Sequence, residues 1–265
     1  MSAAPSDALP EERQREILRR LNSHGRVVAA ELATAFAVSE DSIRRDLREL
    51  AARGLCRRVY GGALLVGPDL PPVSLRRGLQ VETKLLLARK AVSLVRSGQI
   101  LLIDAGSTNS AIADALPDQM GLTIVTTATD IAQRLMDRPG FEILMIGGRI
   151  DKSSGATVGI QTALEIRRVR ADLCFPGTCA VDADTGVWGV NNEEALIKRA
   201  MIESSGETVI VVTTDKFAAV APHQIATLDQ VDHLVVEHAM DANIVAQFEA
   251  KSISVRRADK VRCAS

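Results

Sequence analysis

Hydrophobic positions along the first sixty residues recur at helical spacing in three short blocks. From Pro10 to Ser23 the apolar set is Ile17, Leu18 and Leu21. From Ala29 to Phe36 it is Leu32, Ala33 and Phe36. From Ser39 onward, Ile43, Leu47 and Leu50 fall at i, i+4 and i+7. Pro10 suits a first turn and Gly25 a stop. A turn at Ala37-Val38 leads to Ser39, an N-cap followed by Glu40 and Asp41 where negative charge suits the helix dipole. After Gly54, the run from Leu55 to Gly62 has the pattern of a small β-wing, with Gly61-Gly62 permitting a tight hairpin. Three short helices and a wing are the winged helix-turn-helix order.

Beyond residue 80 the pattern becomes alternating. Strands are predicted at Gln99 to Asp104, Leu122 to Thr127, Phe141 to Gly147, Ala171 to Phe175, Thr208 to Thr213 and His233 to Glu237. Helices are predicted at Lys84 to Val95, Ser107 to Leu116, Ile131 to Met136, Gln161 to Val169 and Glu194 to Ser204. Continuous apolar strands such as Ile100-Leu101-Leu102-Ile103 belong in a parallel sheet covered on both faces. The fold class is therefore α/β, with an N-terminal winged helix-turn-helix. From Leu64 to Leu79, Gly67, Pro68, Pro71 and Pro72 break all periodicity and mark a linker. The expected domains are 1–63 for DNA binding, 64–80 as linker, 81–240 for the α/β domain and 241–265 as a C-terminal helix and tail. The basic, polar stretch from Lys251 to Ser265 is expected to be partly disordered.

Composition changes this picture little. At 265 residues, 46% hydrophobic and 25% charged, the chain is an ordinary globular protein. It has no apolar run of membrane-spanning length, and Met1 to Leu9 lacks the apolar core of a signal peptide. A cytoplasmic location is expected. Four scattered cysteines without histidines at metal spacing read as reduced thiols, although Cys174 and Cys179 can lie near each other. No metal and no cofactor is expected.

Charge matters locally. The whole chain is near neutral, but from Ser42 to Gly62 six arginines (Arg44, Arg45, Arg48, Arg53, Arg57 and Arg58) face only Asp46 and Glu49. On the third helix, Ser42, Arg45 and Glu49 point away from the apolar stripe, with Arg44 and Arg48 on its flanks. An Arg-Arg pair alone is usually a solvated face. With the cap, the two preceding helices and the basic wing, it reads as a recognition helix for the major groove.

In parallel sheets ligands bind beyond the carboxyl ends of the strands. The first such end is Asp104-Ala105-Gly106-Ser107-Thr108, which opens a helix. Its free N–H groups and two hydroxyls can cradle a phosphate, or can simply start a helix. Other strand ends are also polar or glycine-rich: Thr126-Thr127, Gly147-Gly148-Arg149, Pro176-Gly177-Thr178 and Asp215-Lys216. Lys216 can bring positive charge to the same anion. Asp182 to Glu194 reads as a polar loop containing Trp188, either ligand platform or packing anchor. Glu194 and Lys198 share a helix face, as an exposed ion pair would.

Ser39 to Leu47, followed by Arg58-Val59-Tyr60-Gly61-Gly62-Ala63, closely resembles the N-terminal signature of the DeoR family of bacterial transcriptional regulators. The family typically has Thr where Ser42 stands and often His where Tyr60 stands; both changes keep a polar group. The resemblance extends over almost the whole chain. It implies DNA contacts from Ser39, Ser42, Arg44, Arg45, Arg48, Arg57, Arg58 and Tyr60. It also implies a sensor domain similar in fold to ribose-5-phosphate isomerase. There Asp104, Gly106, Ser107 and Thr108 form a phosphate loop, and Thr127, Gly147, Gly148, Gly177, Glu194, Lys198 and Lys216 complete an effector pocket. Thr127 replaces a common Asn and Trp188 a common Thr, so the effector is left unnamed. The implied partners are operator DNA, a phosphorylated sugar and further copies of the chain, as dimer or tetramer.

The expected function is a DNA-binding repressor of a sugar operon, released by a phosphorylated sugar. The alternative is a sugar-phosphate isomerase with an accessory N-terminal domain. Isomerisation needs a positioned carboxylate base. The corresponding stretch here, Val190-Asn191-Asn192-Glu193-Glu194, lacks the glycine run and lysine of the isomerase's loop. A pure oligomerisation module leaves the polar strand ends unexplained.

Overall fold

A computed structural model describes residues 10–24, 26–53, 55–65, 72–217 and 219–260. Met1 to Leu9, Gly25, Gly54, Gly67, Pro68, Pro71 and Cys263, each used in the sequence reading, lie outside the described residues. The chain divides into two compact units, Met1–Asp69 with Val220–Pro222, and Leu70–Ala219 with His223–Ser265.

The first unit runs α1 (Pro10–His24), β1 (Arg26–Val28), α2 (Ala29–Phe36), α3 (Glu40–Ala52), β2 (Cys56–Val59) and β3 (Gly62–Leu65). Its core is made by the predicted stripes. Ile17 and Leu21 of α1, Leu32 and Phe36 of α2, and Ile43, Leu47 and Leu50 of α3 are all buried together. Each such side chain contributes about 1.5–3 kcal/mol on burial. Ser39 caps α3, its Oγ accepting the Ser42 N–H at 3.2 Å. The wing is an antiparallel sheet in the order β1-β3-β2. Gly62 is obligatory there, since a Cβ would sit 2.0 Å from the Val27 carbonyl oxygen. Asp46, on the third helix, is buried rather than solvated. Arg13 Nε meets its carboxylate at 2.5 Å and Gln14 Nε2 at 3.3 Å, so an internal ion pair joins α1 to α3.

The second unit continues with α4 (Val73–Arg76), α5 (Val81–Val92), β4 (Ile100–Ile103), α6 (Ser107–Ala115), β5 (Leu122–Thr126), α7 (Thr129–Leu135), β6 (Phe141–Met145), β7 (Arg149–Asp151) and β8 (Ala156–Val158). Then come α8 (Ile160–Ile166), β9 (Ala171–Phe175), β10 (Ala180–Asp182), β11 (Gly186–Gly189), α9 (Asn192–Glu203), β12 (Ser205–Val211), β13 (His223–Ala226), β14 (His233–Val236), α10 (Ala242–Glu249) and β15 (Ser254–Arg257). Seven strands form one sheet in the order β15-β14-β12-β9-β4-β5-β6, every neighbouring pair parallel. Alternate residues serve opposite faces. Leu101, Ile103, Leu173, Phe175 and Val211 pack with α5, α6 and α7. Leu102, Cys174, Ile210 and Leu234 pack with α8, α9 and α10. The chain builds outward from β4 through β5 to β6, then returns to lay β9 on the other side of β4. The β4/β9 junction is thus the topological switch point, where such sheets leave a crevice at the strands' carboxyl ends.

Three expectations are corrected. The tail is not disordered at Ser254–Arg257, which adds the edge strand β15 parallel to β14. Its arginines suit an edge and hid the pattern. The stretch read as linker contains part of β3 and all of α4, fixed where Val73 N–H donates to the Ser153 carbonyl. The loop from Asp182 to Glu194 is largely a hairpin, β10 pairing with β11 across a turn in which Asp182 Oδ1 accepts the Asp184 and Thr185 N–H groups.

Candidate functional site

Each unit carries one candidate site. On α3, Arg45 and Arg48 are exposed, and among the described residues neither forms an ion pair. Arg44 is exposed but already held by Glu40 at 2.8 Å and Asp41 at 3.3 Å. Ser42 Oγ lies 3.0 Å from Ser39 Oγ, so both hydroxyls belong to the cap. Arg57 and Arg58 are exposed on β2, and Tyr60 is fully exposed beyond it. The result is a helix with a buried stripe, an outer row of cations and a basic wing.

In the second unit the β4/β9 switch point opens into a cavity of about 260 Å³. That lies just below the roughly 300–1,000 Å³ of pockets for drug-sized ligands, which limits the occupant to a small molecule. Gly106, at φ +152°, lets the chain leave β4 and begin α6 without a Cβ penalty. The first helical bond is Ser110 N–H to the Gly106 carbonyl, so the N–H groups of Ser107, Thr108 and Asn109 precede the helical ladder. Asn109 Nδ2 ties the two strands together, donating to the carbonyls of Asp104 at 2.9 Å and Phe175 at 2.8 Å. Gly177 follows β9, and a Cβ there would lie 2.6 Å from the Ala105 oxygen. Its N–H donates to Asp104 Oδ2 at 2.8 Å.

Lys198 stands on α9, 4% exposed, between Glu194 at 2.9 Å and Asp104 at 3.4 Å. Burial alone would favour its neutral form, yet the two carboxylates outweigh that and hold its pKa above the ordinary lysine value. The pair is therefore internal, not the exposed helix pair expected. Lys216 lies 3.2 Å from Asp215, both at the rim. Burial would raise the Asp215 pKa, but hydrogen bonds from Thr213 and Lys216, with the Lys216 charge, bring it below the usual carboxylate range.

Of the predicted effector residues, Gly106, Ser107, Thr108, Gly177, Glu194, Lys198 and Lys216 line this cavity. Asp104 and Thr127 lie in a smaller adjoining chamber. Gly147 and Gly148 line neither. Gly147 accepts from Thr162 Oγ1 at 2.9 Å, and a Cβ on Gly148 would sit 2.1 Å from that same oxygen, so this pair packs β6 against α8. Trp188 lies half-buried on β11, its Nε1 donating to Thr185 Oγ1 at 3.1 Å, and lines neither chamber. Cys174 and Cys179 are both free; burial pushes the Cys174 thiol up to about 11.

The largest omission is Lys84. It is 7% exposed, lines the cavity, and donates only to the carbonyls of Arg76 at 2.7 Å and Leu79 at 2.6 Å. Burial lowers its pKa, with repulsion from Arg76 and Lys216 adding to the effect and the Asp215 charge opposing it. A lysine among apolar neighbours on a helix carries one sequence signal: it falls in the stripe with Leu87, Ala88 and Ala91. Arg76, Asn109 and Ser154 were also unmarked. Among the described residues there is no cluster of metal-ligating side chains, and no helix is long and apolar enough to cross a membrane.

Comparison with known proteins agrees with both halves. The DeoR-like helix-turn-helix domain matches residues 13–68, and the DeoR C terminal sensor domain matches residues 79–238. The chain is 34% identical to the glycerol-3-phosphate regulon repressor of Escherichia coli K12, over 83% of this chain and 88% of that protein. It is 31% identical to the HTH-type transcriptional regulator GlpR of Haloferax volcanii, over 93% and 97%. Among solved structures, the sorbitol operon regulator SorC of Klebsiella pneumoniae aligns at a TM-score of 0.37 and 11% identity, over 91% of this chain and 100% of that one. Ribose 5-phosphate isomerase A of Methanocaldococcus jannaschii aligns at 0.37 and 16%, over 52% and 54%. The sequence relatives are transcriptional regulators, not enzymes, which decides against the isomerase alternative. With both family domains matched in order and over most of its length, the chain belongs to the DeoR family of DNA-binding transcriptional regulators.

Proposed function

We propose that this protein is a repressor of a sugar or carbohydrate operon that a phosphorylated sugar intermediate releases from DNA. The observation that carries the effector half is the α6 N-terminus. Ser107, Thr108 and their backbone N–H groups open onto a small cavity that Lys84 and Lys216 also line. Free N–H groups at a helix N-terminus with nearby cations make an anion site. Arg45 and Ser42 are assigned to base edges. Arg44, Arg48, Arg57 and Arg58 are assigned mainly to phosphates, with Ser39 and Tyr60 beside them. A dimer or tetramer would set two recognition helices on paired half-sites. The effector then acts by preferring an assembly with poor half-site geometry, which requires different affinities for the two states.

Fluorescence anisotropy on DNA from upstream of the protein's own gene, titrated with sugar phosphates, tests this. Release by a phosphate but not by its unphosphorylated sugar is the expected result. Tight binding with no release by any of them refutes the effector assignment, and absence of specific binding refutes the operator assignment.

A further inference from the structure

Four large apolar side chains stand exposed within one stretch of the second unit. They are Leu75 on α4, Leu79 in the turn that follows, and Val81 and Leu85 on α5, exposed by 65, 54, 60 and 37%. Single exposed apolar residues are ordinary on a protein surface, but a run of them marks a contact face. The stretch is also held in shape. Lys84 reaches back from α5 to the carbonyls of Arg76 and Leu79, which folds the end of α4 onto the first turns of α5. Arg77 is engaged by Asp130 of α7 at 2.8 Å.

Charge defines what this face meets. At about 100° per residue, Val81, Glu82, Leu85 and Arg89 lie within one arc of about 100°. That side of α5 is left uncovered by the buried Lys84, Leu87, Ala88 and Ala91. Glu82 and Arg89 are exposed, and among the described residues neither forms an ion pair. The acid stands three residues before Leu85 and the base four after it. In an antiparallel pair of these helices with a twofold axis at Leu85, Leu85 meets Leu85. Arg89 of each copy then comes level with Glu82 of the other, offset by about 1.5 Å along the axis. At an interaxial distance of about 8–10 Å such side chains can pair. Parallel helices would instead set Glu82 against Glu82 and Arg89 against Arg89. The face is thus complementary to itself in one orientation, which is what an isologous interface requires. Ile160 and Leu164 of α8 are also exposed at helical spacing, but the charges beside them are already satisfied. Glu165 is held by Arg168 at 3.1 Å, and Arg167 by Glu203 at 2.8 Å.

We propose that two copies of the chain associate through this face, α5 against α5 in antiparallel, with Leu85 on the axis and a Glu82–Arg89 ion pair on either side. This deepens the dimer-or-tetramer reading above by giving it a surface, and it requires neither the operator nor the effector assignment. The inner side of the same helix carries Lys84 into the sensor cavity, so the interface lies one helix away from it.

Sedimentation velocity on the full chain, without DNA or ligand and over a concentration series, tests it. The parent should associate. Leu85→Asp should lower the assembly by one step, from dimer to monomer or from tetramer to dimer. Glu82→Arg and Arg89→Glu each bring like charges together at both ends of the interface, and each should weaken self-association by about tenfold or more. Mixed in equal amounts, these two single variants present an all-basic and an all-acidic edge to each other and should regain the parent's association as a mixed pair. All three positions are exposed, and circular dichroism matching the parent shows that each variant is folded. A parent that is monomeric throughout overturns the proposal. So do variants that sediment like the parent, in which case the face meets another part of the chain or a different protein. Single variants that dissociate without recovery in the mixture overturn the antiparallel pairing. Loss of DNA binding with association intact counts against the operator assignment alone and leaves the interface standing.

Discussion

Replacing Lys198 with Met tests whether the centre of the sensor domain is held by charge. The side chains of Lys198 and Asp104 are each 4% exposed, and Glu194 is 19% exposed. Met keeps the length and loses the ammonium. Asp104 then retains the Gly177 N–H as its donor, and two carboxylates face each other without a cation. Removing one partner of a buried pair costs about 3–5 kcal/mol. For a domain of this size each kcal/mol lowers Tm by about 2–4 °C. The assay is urea unfolding at neutral pH followed by fluorescence of Trp188, the only tryptophan, which reports the second unit alone. The pH dependence follows from the sign of the shift. In the parent, the Lys198 pKa is raised above its ordinary 10.5. Its contribution is therefore fully present below 10.5 and is lost only as pH rises through the higher folded value. A loss under about 1 kcal/mol at neutral pH, with an unchanged m-value, would refute the reasoning.

Other outcomes follow from the same geometry. Arg45→Ala should weaken specific operator binding by about 1–3 kcal/mol in anisotropy titrations; Arg44→Ala should cost less, because Glu40 and Asp41 already hold that guanidinium. Equal losses would mean the groove-facing side of α3 is misassigned. Arg57→Ala and Arg58→Ala should each reduce the slope of log K against log salt by about 0.9, with little change in sequence preference. A slope that stays fixed removes the wing from the phosphate contacts. Ser107→Ala combined with Lys216→Ala should abolish release by the effector, and a double variant that still responds means the phosphate sits elsewhere.

The parts of this fold that were legible in sequence are those where a short local pattern decides the outcome. The stripe Ile43, Leu47, Leu50 and the cap at Ser39 need no distant partner to be recognised, and both are in place. The run Ile100–Ile103 announces a central strand because both faces are buried. The strand-to-helix junction at Gly106-Ser107-Thr108 was legible because a glycine and two hydroxyls sit where a strand turns into a helix, and it does line the cavity. What stayed hidden depends on residues far apart. Asp46 looks like a solvated acid until Arg13, thirty-three residues away, closes on it. Gly147-Gly148 looks like another strand-end loop until Thr162 is found against it. The edge strand Ser254–Arg257 alternates too weakly with charge to stand out, and only β14 gives it register.

Lys84 shows how such a hidden residue can govern the site. Lys198 is neutralised within the fold by Asp104 and Glu194, and Lys216 sits beside Asp215. Among the described residues Lys84 hydrogen-bonds only to carbonyl oxygens, and the charge of Asp215 offsets its burial and the repulsion from Arg76 and Lys216 only in part. Its pKa is lowered from 10.5, first by burial and then by Arg76 and Lys216. Between the depressed value and 10.5 the empty folded protein therefore binds fewer protons than the unfolded chain, and its stability rises with pH across that window. On the function proposed above, a bound phosphate would add to the partial compensation from Asp215 and favour the charged lysine. The phosphate is already dianionic well above its second pKa of about 6, so it adds no alkaline titration of its own. Effector binding should then take up protons, and affinity should fall as pH rises through the depressed lysine value. Calorimetry in buffers of different ionisation enthalpy measures that uptake. Lys84→Met should bind the effector more weakly and lose the alkaline dependence. If the variant keeps the parent's pH profile, the anion does not reach Lys84, and the charge that draws it into the cavity must come from the Lys216 side.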